Sequence, residues 1–341
     1  MISRLRCFPI SLIAFAAVAH ADPVAEMQAF SSFKTVHPDK LAAGAVQAAR
    51  GPAMSFPRGL AVESCYVVRK PLAKTAEFHR QWSPARHPEL KVWLHGDLTP
   101  RAAAAEFQKL RSAPANGAVR AFVAATQKLG AGAGDLQLSK AEAKAFESAS
   151  GADAGAMPAK VADFWSGLLS QRAQAFVSGG LSRQPPYENG GETIRVADDI
   201  ARLLKEAGKW RGQFSALLEG ASLSGGRGAL APSLYWELIG VEDDAALNLG
   251  ASYAKAGANT WQGIDVQYYA SGGYCALLTL TQMWPVTVGG QEMTLVWQGG
   301  LISSKTLASL HGVERMGSST AMMRETQKVI ERFVGDANKA P

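Results

Sequence analysis

Three cysteines among 341 residues are too few for the disulfide scaffold that staples small secreted domains. Charge is sparse as well. Asp, Glu, Lys and Arg make up 19% of the chain, and the net charge of +6 has no polybasic run behind it. Nucleic acid is therefore not an expected partner. After residue 21 no apolar run reaches the roughly 20 residues that a membrane span requires. No unit of 20 to 50 residues repeats, which removes solenoids and propellers. G-x-S-x-G, G-x-x-x-x-G-K-[ST] and a strand-borne G-x-G-x-x-G are all missing, and with them the usual nucleophile elbow and phosphate cradles. What remains is 47% hydrophobic, with 34 Gly, the texture of a globular protein long enough to bury a sizeable core.

The first 21 residues read as an export signal. Arg4 and Arg6 precede an apolar stretch from Phe8 to Ala19, and Ala19-His20-Ala21 fits a small-x-small cleavage site. The expectation is a periplasmic or secreted protein that starts at Asp22 once cleaved after Ala21, with no membrane span in the mature chain. Cys7 leaves with the leader. Cys65 and Cys275 remain, each in a strand-like run. In an oxidising compartment they either pair as a disulfide or stay as two buried thiols, and sequence leaves both readings open. Lying 210 positions apart, they form no metal-ligand spacing.

Hydrophobic periodicity divides the chain. Residues 22 to 59 read as a helical and loop segment. Residues 60 to 335 read as one α+β domain with a helical insertion at about 98 to 232, and 336 to 341 as a tail. Leu60 to Arg69 is a strand, Pro71 to Trp82 a helix and Leu90 to His95 a second strand. Thr99-Pro100 reads as the N-cap and first turn of a helix to about Arg111. Ala118 to Leu129 suits either strand or helix. Ser139 and Glu142 make a capping box, and Val161, Phe164, Leu168, Leu169 and Phe176 form one helical stripe. Ile200, Leu203 and Leu204, then Phe214, Leu217 and Leu218, follow on two more helices. From Ser233 five strands are expected, at 233–241, 247–256, 260–271, 274–288 and 291–303. Gly-Gly pairs at 272–273 and 289–290 suit two-residue hairpins. A closing helix from about Ser318 to Val334 carries a stripe of Met322, Thr326, Val329, Ile330 and Phe333. The fold class is α+β: a curved antiparallel meander packed by a C-terminal amphipathic helix.

Several motifs fail on spacing. His79, His87 and His95 lie eight apart, with Asp97 beyond, and match no local zinc pattern, so no metal is expected. Glu242-Asp243-Asp244 lacks the alternating ligands of a calcium loop. Ser252-Tyr253-Ala254-Lys255 matches S-x-x-K, but in a strand an odd spacing sends Ser and Lys to opposite faces. Aromatic distribution says more. Nine of the 15 Trp and Tyr residues fall between Tyr235 and Trp297, while no Phe occurs from 215 to 332. Rings with a polar tip suit a partly wet surface.

An early strand, a helix leading into W-x-P-x-R-H-P-E-L-K-V-W (residues 82 to 93), a long antiparallel meander and a closing amphipathic helix together resemble the helix-grip, or START-like, proteins. The resemblance covers residues 60 to 97 and 233 to 335. It implies a sheet wrapped around the C-terminal helix with a hydrophobic cavity between them. Tyr235-Trp236, the stretch from Trp261 to Tyr269 and His311 to Met316 are also similar to exported bacterial proteins of unassigned function. The expected function is binding of an amphipathic or lipid-like small molecule in that cavity, contacted by Tyr253, Trp261, Tyr268, Tyr269, Tyr274, Trp284 and Trp297, alternate members facing in. No cofactor is expected. The alternatives are an envelope enzyme of hydrolase type, with Asp265, Glu237, Glu314 and His311 as its nearest titratable residues, and an envelope interaction protein with an exposed aromatic face.

Overall fold

Eight antiparallel strands form one open sheet. In chain order they are β1 (Gln47–Arg50), β2 (Gly59–Val68), β3 (Val92–Leu98), β4 (Ser233–Val241), β5 (Asp244–Ala256), β6 (Trp261–Ala270), β7 (Ala276–Val288) and β8 (Gln291–Ser303). They lie side by side as β1-β2-β8-β7-β6-β5-β4-β3, so β1 and β3 are free edges. The computed structural model describes residues 22–129, 136–146, 157–188, 192–225, 228–241 and 243–341. The expected export signal with Cys7, the Gly/Ala loop at 130 to 134 and Glu242 lie outside the described residues.

The meander follows its sequence pattern closely. Val288 pairs with Gln291, and the two residues between, Gly289 and Gly290, have φ of 57° and 78°. Those are the left-handed angles a tight hairpin demands, which glycine adopts without strain. Gly272-Gly273 departs from expectation. Here β6 stops at Ala270 and β7 starts at Ala276, so the pair sits in a longer loop. The edge strand β1 falls in a stretch read as helix and loop. Its two alanines carry no strand preference, and pairing with β2 from Gln47–Cys65 to Arg50–Val62 supplies the structure instead.

Helices α1 (Pro23–Phe30) and α2 (Pro38–Ala42) precede the sheet, and α3 (Leu72–Gln81) follows β2. The insertion between β3 and β4 holds α4 (Gly117–Gln127), α5 (Lys140–Lys144), α6 (Ala159–Gly179), α7 (Val196–Glu206), α8 (Gly208–Gln213) and α9 (Ser215–Ala221). The capping box forms as read: Glu142 N donates to Ser139 Oγ at 3.2 Å, and Ser139 N to Glu142 Oε2 at 2.7 Å. Thr99 does not cap a helix. Ala102 takes φ of 42°, which breaks the helical path, and the segment Ala104–Ser112 coils as a 3-10 helix. Glu106 gathers the Thr99 amide and hydroxyl and the Ala103 amide.

After β8 come α10 (Lys305–Ser309) and the long α11 (Gly312–Lys339). The α11 helix runs along β2. Arg315 donates to the carbonyls of Phe56, Pro57 and Gly59 where β2 begins, and Asn338 Oδ1 accepts from Arg69 N at 2.9 Å just past its end. Ile330 and Phe333 are buried as their stripe predicts, with Met322, Thr326 and Val329 half-buried.

Strand alternation gives the sheet two different faces. One carries Cys65, Leu249, Val266, Leu280, Leu295 and Trp297 into the main core, which α1 and the insertion helices complete. The other carries Tyr66, Val68, Met283, Val296 and Trp261 into a smaller cluster with α3 and the C-terminal half of α11. The insertion therefore covers the face that the resemblance would leave bare, and the closing helix lies on the opposite one.

Candidate functional site

The α11 face of the sheet changes character from β3 to β6. Where β2 and the start of β8 present Val62, Tyr66 and Val296, these strands present His95, Asp97, Tyr235, Glu237, Asn248, Ser252, Asp265 and Gln267. Pairing places them together. Ser252, Asp265, Thr279, Gly300 and Val62 stand opposite one another across β5, β6, β7, β8 and β2. Gly250, Gln267, Leu277, Ile302 and Leu60 form the next row.

Asp265 is the centre of the group. The Tyr235 hydroxyl donates to Oδ1 at 2.7 Å and the Ser252 hydroxyl to Oδ2 at 2.5 Å. The Tyr235 ring reaches it by lying over Gly250, where a Cβ would collide with the ring. On the far side that ring stacks on His95 at 5.8 Å between centroids. His95 Nδ1 stands 3.1 Å from Glu237 Oε1, and Nε2 3.5 Å from Asp97 Oδ1. Gln267 Oε1 accepts from Tyr274 and, at 3.5 Å, from Asn248 Nδ2. Asn248 is fully buried, and its Oδ1 meets no donor.

Burial pushes the Asp265 carboxyl up from 3.8 to about 6, and the neighbouring Glu237 adds to the rise, while the Ser252 and Tyr235 hydroxyls oppose it. The hydrogen bond to Glu237 raises His95 against the effect of burial, and Asp97 adds to the rise. Burial and the two carboxylates hold the Tyr235 phenol well above its ordinary value, so it stays a donor. At neutral pH the group is a mainly ionised carboxylate held by hydroxyl donors beside a His–Glu pair. Among the described residues no Lys or Arg forms an ion pair with Asp265 or Glu237, and no cluster of three or more His, Cys, Asp or Glu is suited to a metal.

The seven aromatic residues expected to line a cavity are divided between the faces. Tyr253, Tyr268, Tyr269, Trp284 and Trp297 belong to the core on the insertion side. Tyr268 stacks on Phe176 of α6 at 3.9 Å, Tyr269 lies under Arg172 at 4.3 Å, and Trp297 packs on Phe30 at 4.8 Å while donating to Glu63 at 2.8 Å. Trp261 faces α3 and α11, 5.1 Å from His79. Tyr274 alone touches the polar group, through Gln267. Simple alternation fails at Tyr268 and Tyr269 because a register shift opposite Leu249 and Gly250 turns both rings inward. All seven are buried, so none of them presents an exposed aromatic face.

Of the titratable residues named for an enzyme, Glu237 and Asp265 meet on one face. His311 and Glu314 are exposed at the start of α11 and take no part. His95 and Ser252, each read in a motif that failed on spacing, belong to the group. The missed signal is a period of two within the aromatic strands, in His95-Gly-Asp97, Tyr235-Trp-Glu237 and Asp265-Val-Gln267.

Cys65 and Cys275 are both buried free thiols. Cys65 stands opposite Trp297, whereas Cys275 N donates to the carbonyl of Ser303, six residues further along β8. That is about 20 Å of strand, far beyond disulfide reach. A surface depression of about 360 Å³, lined by Pro23, Glu26, Trp284 and Glu292 among others, opens on the insertion side rather than beside α11. No helix among the described residues is long and apolar enough to cross a membrane. No protein-family model, curated protein or solved structure matches the chain.

Proposed function

We propose that the protein binds an amphipathic small molecule on the α11 face, polar end at Asp265, Tyr235 and Ser252 and apolar part along Leu277, Ile302 and Met322. One observation carries this reading. The row from Ser252 through Asp265 and Thr279 to Gly300 is half-buried and holds no large side chain. It leads in about two strand spacings, roughly 10 Å, to Gly300, where Met322 of α11 would touch an added Cβ at 3.3 Å. A ligand lying on that row meets a carboxylate at one end and a thioether at the other. The strand order supports the helix-grip resemblance: the first long strand, β2, lies beside the last, β8, and the C-terminal helix follows β2. Export to the periplasm or medium is part of the same proposal and rests on the first 21 residues.

The test is native mass spectrometry of the chain purified from its host compartment, followed by lipid extraction. The expected result is a bound molecule lost from Met322→Trp, whose indole fills the row beside Gly300. Empty protein in every preparation, together with no lipid-induced rise in thermal stability, would overturn the reading.

A second reading has its own observation. A carboxyl raised to about 6, beside a phenol and a His–Glu pair, suits general acid–base work on a bound substrate. Turnover of a bound molecule by the native chain and not by Asp265→Asn would favour it.

A further inference from the structure

The donors and acceptors of this group are unequal in number. This inference rests on the binding site proposed above. The hydroxyls of Tyr235, Ser252 and Tyr274 are each spent on an acceptor within the group, and the Thr279 hydroxyl and the Gln267 amide are its further donors. His95, which can carry a positive charge, is committed to Glu237 and Asp97. The acceptors are in surplus. Each Asp265 oxygen takes one hydrogen bond and has a lone pair left. Asn248, fully buried and opposite Glu237 in the sheet, presents an Oδ1 with no donor at all.

We propose that the polar end of the ligand is a protonated amine. An ammonium brings three donors and a positive charge. It would answer the spare lone pairs of Asp265 and the missing counter-charge together. A carboxylate or phosphate head would find donors in the Thr279 hydroxyl and the Gln267 amide but would meet two like charges, Asp265 and Glu237. A neutral hydroxyl would supply a donor but leave Asp265 uncompensated, and a half-buried ionised carboxylate without a counter-charge is unfavourable.

The groups facing Asp265 from the elements around it agree with this sign. Strand β4 brings Tyr235 and Glu237, β3 brings His95 and Asp97, and the loop before β7 brings Tyr274. Strands β7 and β8 place the neutral Thr279 and Gly300 in its row, over which α11 lays Met322. Arg315 of α11 is tied to the carbonyls of Phe56, Pro57 and Gly59. The Lys109 ammonium stands 3.3 Å from the His95 carbonyl and is turned to the backbone.

Three probes with one tail make the test: dodecylamine, dodecanoate and dodecanol, each below its micellar concentration, titrated calorimetrically into the mature chain at pH 7.5 and pH 4.5. The amine is expected to bind at least about tenfold more tightly than the other two at pH 7.5. That preference should shrink at pH 4.5, where Asp265 takes up its proton, and in Asp265→Asn at either pH. The wild-type pH series needs no variant to fold. Equal binding of all three, or tighter binding of dodecanoate or dodecanol, would overturn the amine while leaving the site, provided Met322→Trp weakens the bound probes. Absence of binding by any probe would overturn both.

Discussion

Replacing Asp265 by asparagine removes a charge that the folded protein holds at a cost. The folded carboxyl titrates near 6 against an ordinary 3.8. Between those values the folded state keeps a proton that the unfolded chain has released, so stability falls as pH rises through the window. Above about pH 6 the full cost is present, and below 3.8 it vanishes. At ~1.36 kcal/mol per pH unit the rise corresponds to roughly 3 kcal/mol. Because Asp265 is half-buried, solvent screening reduces this to about 1–2 kcal/mol. Asparagine also loses an acceptor for Ser252 or Tyr235, costing about 1 kcal/mol at every pH, and that constant offset cancels when two pH values are compared. Urea unfolding of both proteins at pH 4, 5, 6 and 7.5 is the assay. The stability of Asp265→Asn relative to wild type should climb by about 1–2 kcal/mol from pH 4 to 7.5. A difference flat across that range would refute the reasoning, because it would mean the carboxylate ionises in the fold as freely as in water.

Other parts of the chain make separate demands. His79, packed between Trp261 and Phe333, is pushed down to about 4 by burial. The unfolded chain therefore binds the extra proton between pH 6.5 and 4, and His79→Phe should lose less stability than wild type on acidification across that range, as read by thermal melts. Cys65 and Cys275, raised to about 12 and about 11 by burial, should resist iodoacetamide in native protein and both react in urea without reductant. Peptide mapping checks this, and a Cys65–Cys275 disulfide would contradict the strand register. Gly250→Ala forces a methyl into the Tyr235 ring, and a loss of about 1–3 kcal/mol is expected in chemical unfolding. Arg172, wholly buried, pairs with Glu142 at 2.6 Å and donates to the Pro185 carbonyl at 3.1 Å. Arg172→Met should cost about 3–5 kcal/mol in the same assay, since Glu142 loses its partner.

The meander was legible because its evidence is local. Alternation, the Gly289-Gly290 turn and the stripe on α11 each work within a few residues, and strand ends fell within three residues of those expected. What α11 covers was not legible, because a strand's period fixes which residues share a face and not what packs on it. Tyr253 and Ser252 are neighbours in sequence on opposite faces of β5, and only the position of α6 and α11 decides which is wet. Reading the tyrosines and tryptophans as the lining followed their abundance. Of the polar residues between them, Asp265 and Glu237 are titratable candidates in the sequence, Ser252 and His95 stand in motifs that fail on spacing, S-x-x-K and a histidine series, and Asn248 and Gln267 stand in none. The edge strand β1 and the 3-10 segment after Thr99 depend on a distant partner and on one left-handed alanine, neither of which a local pattern carries.

The two faces of the sheet answer different physical requirements. On the insertion side the rings are sealed: Tyr268 and Tyr269 have hydroxyls with no partner, and Trp284 has an indole N–H with none. Such unmet groups cost stability that the surrounding packing must offset, so this face acts as core. On the α11 side the polar atoms are mostly paired, yet among the described residues its charges do not balance, for Asp265 has two hydroxyls and no Lys or Arg partner. A core selected for stability alone would place Asn or Thr at that position and lose nothing in packing. The carboxylate is kept half-buried, beside Glu237, at the end of a row cleared of large side chains. That arrangement is unfavourable without a counter-charge, and a positively charged group would improve it. If an amine binds there as proposed, the group that weakens the fold above pH 6 is the one whose cost that ligand would remove, and the rise in stability of Asp265→Asn and its loss of amine binding should appear in the same variant over the same pH range.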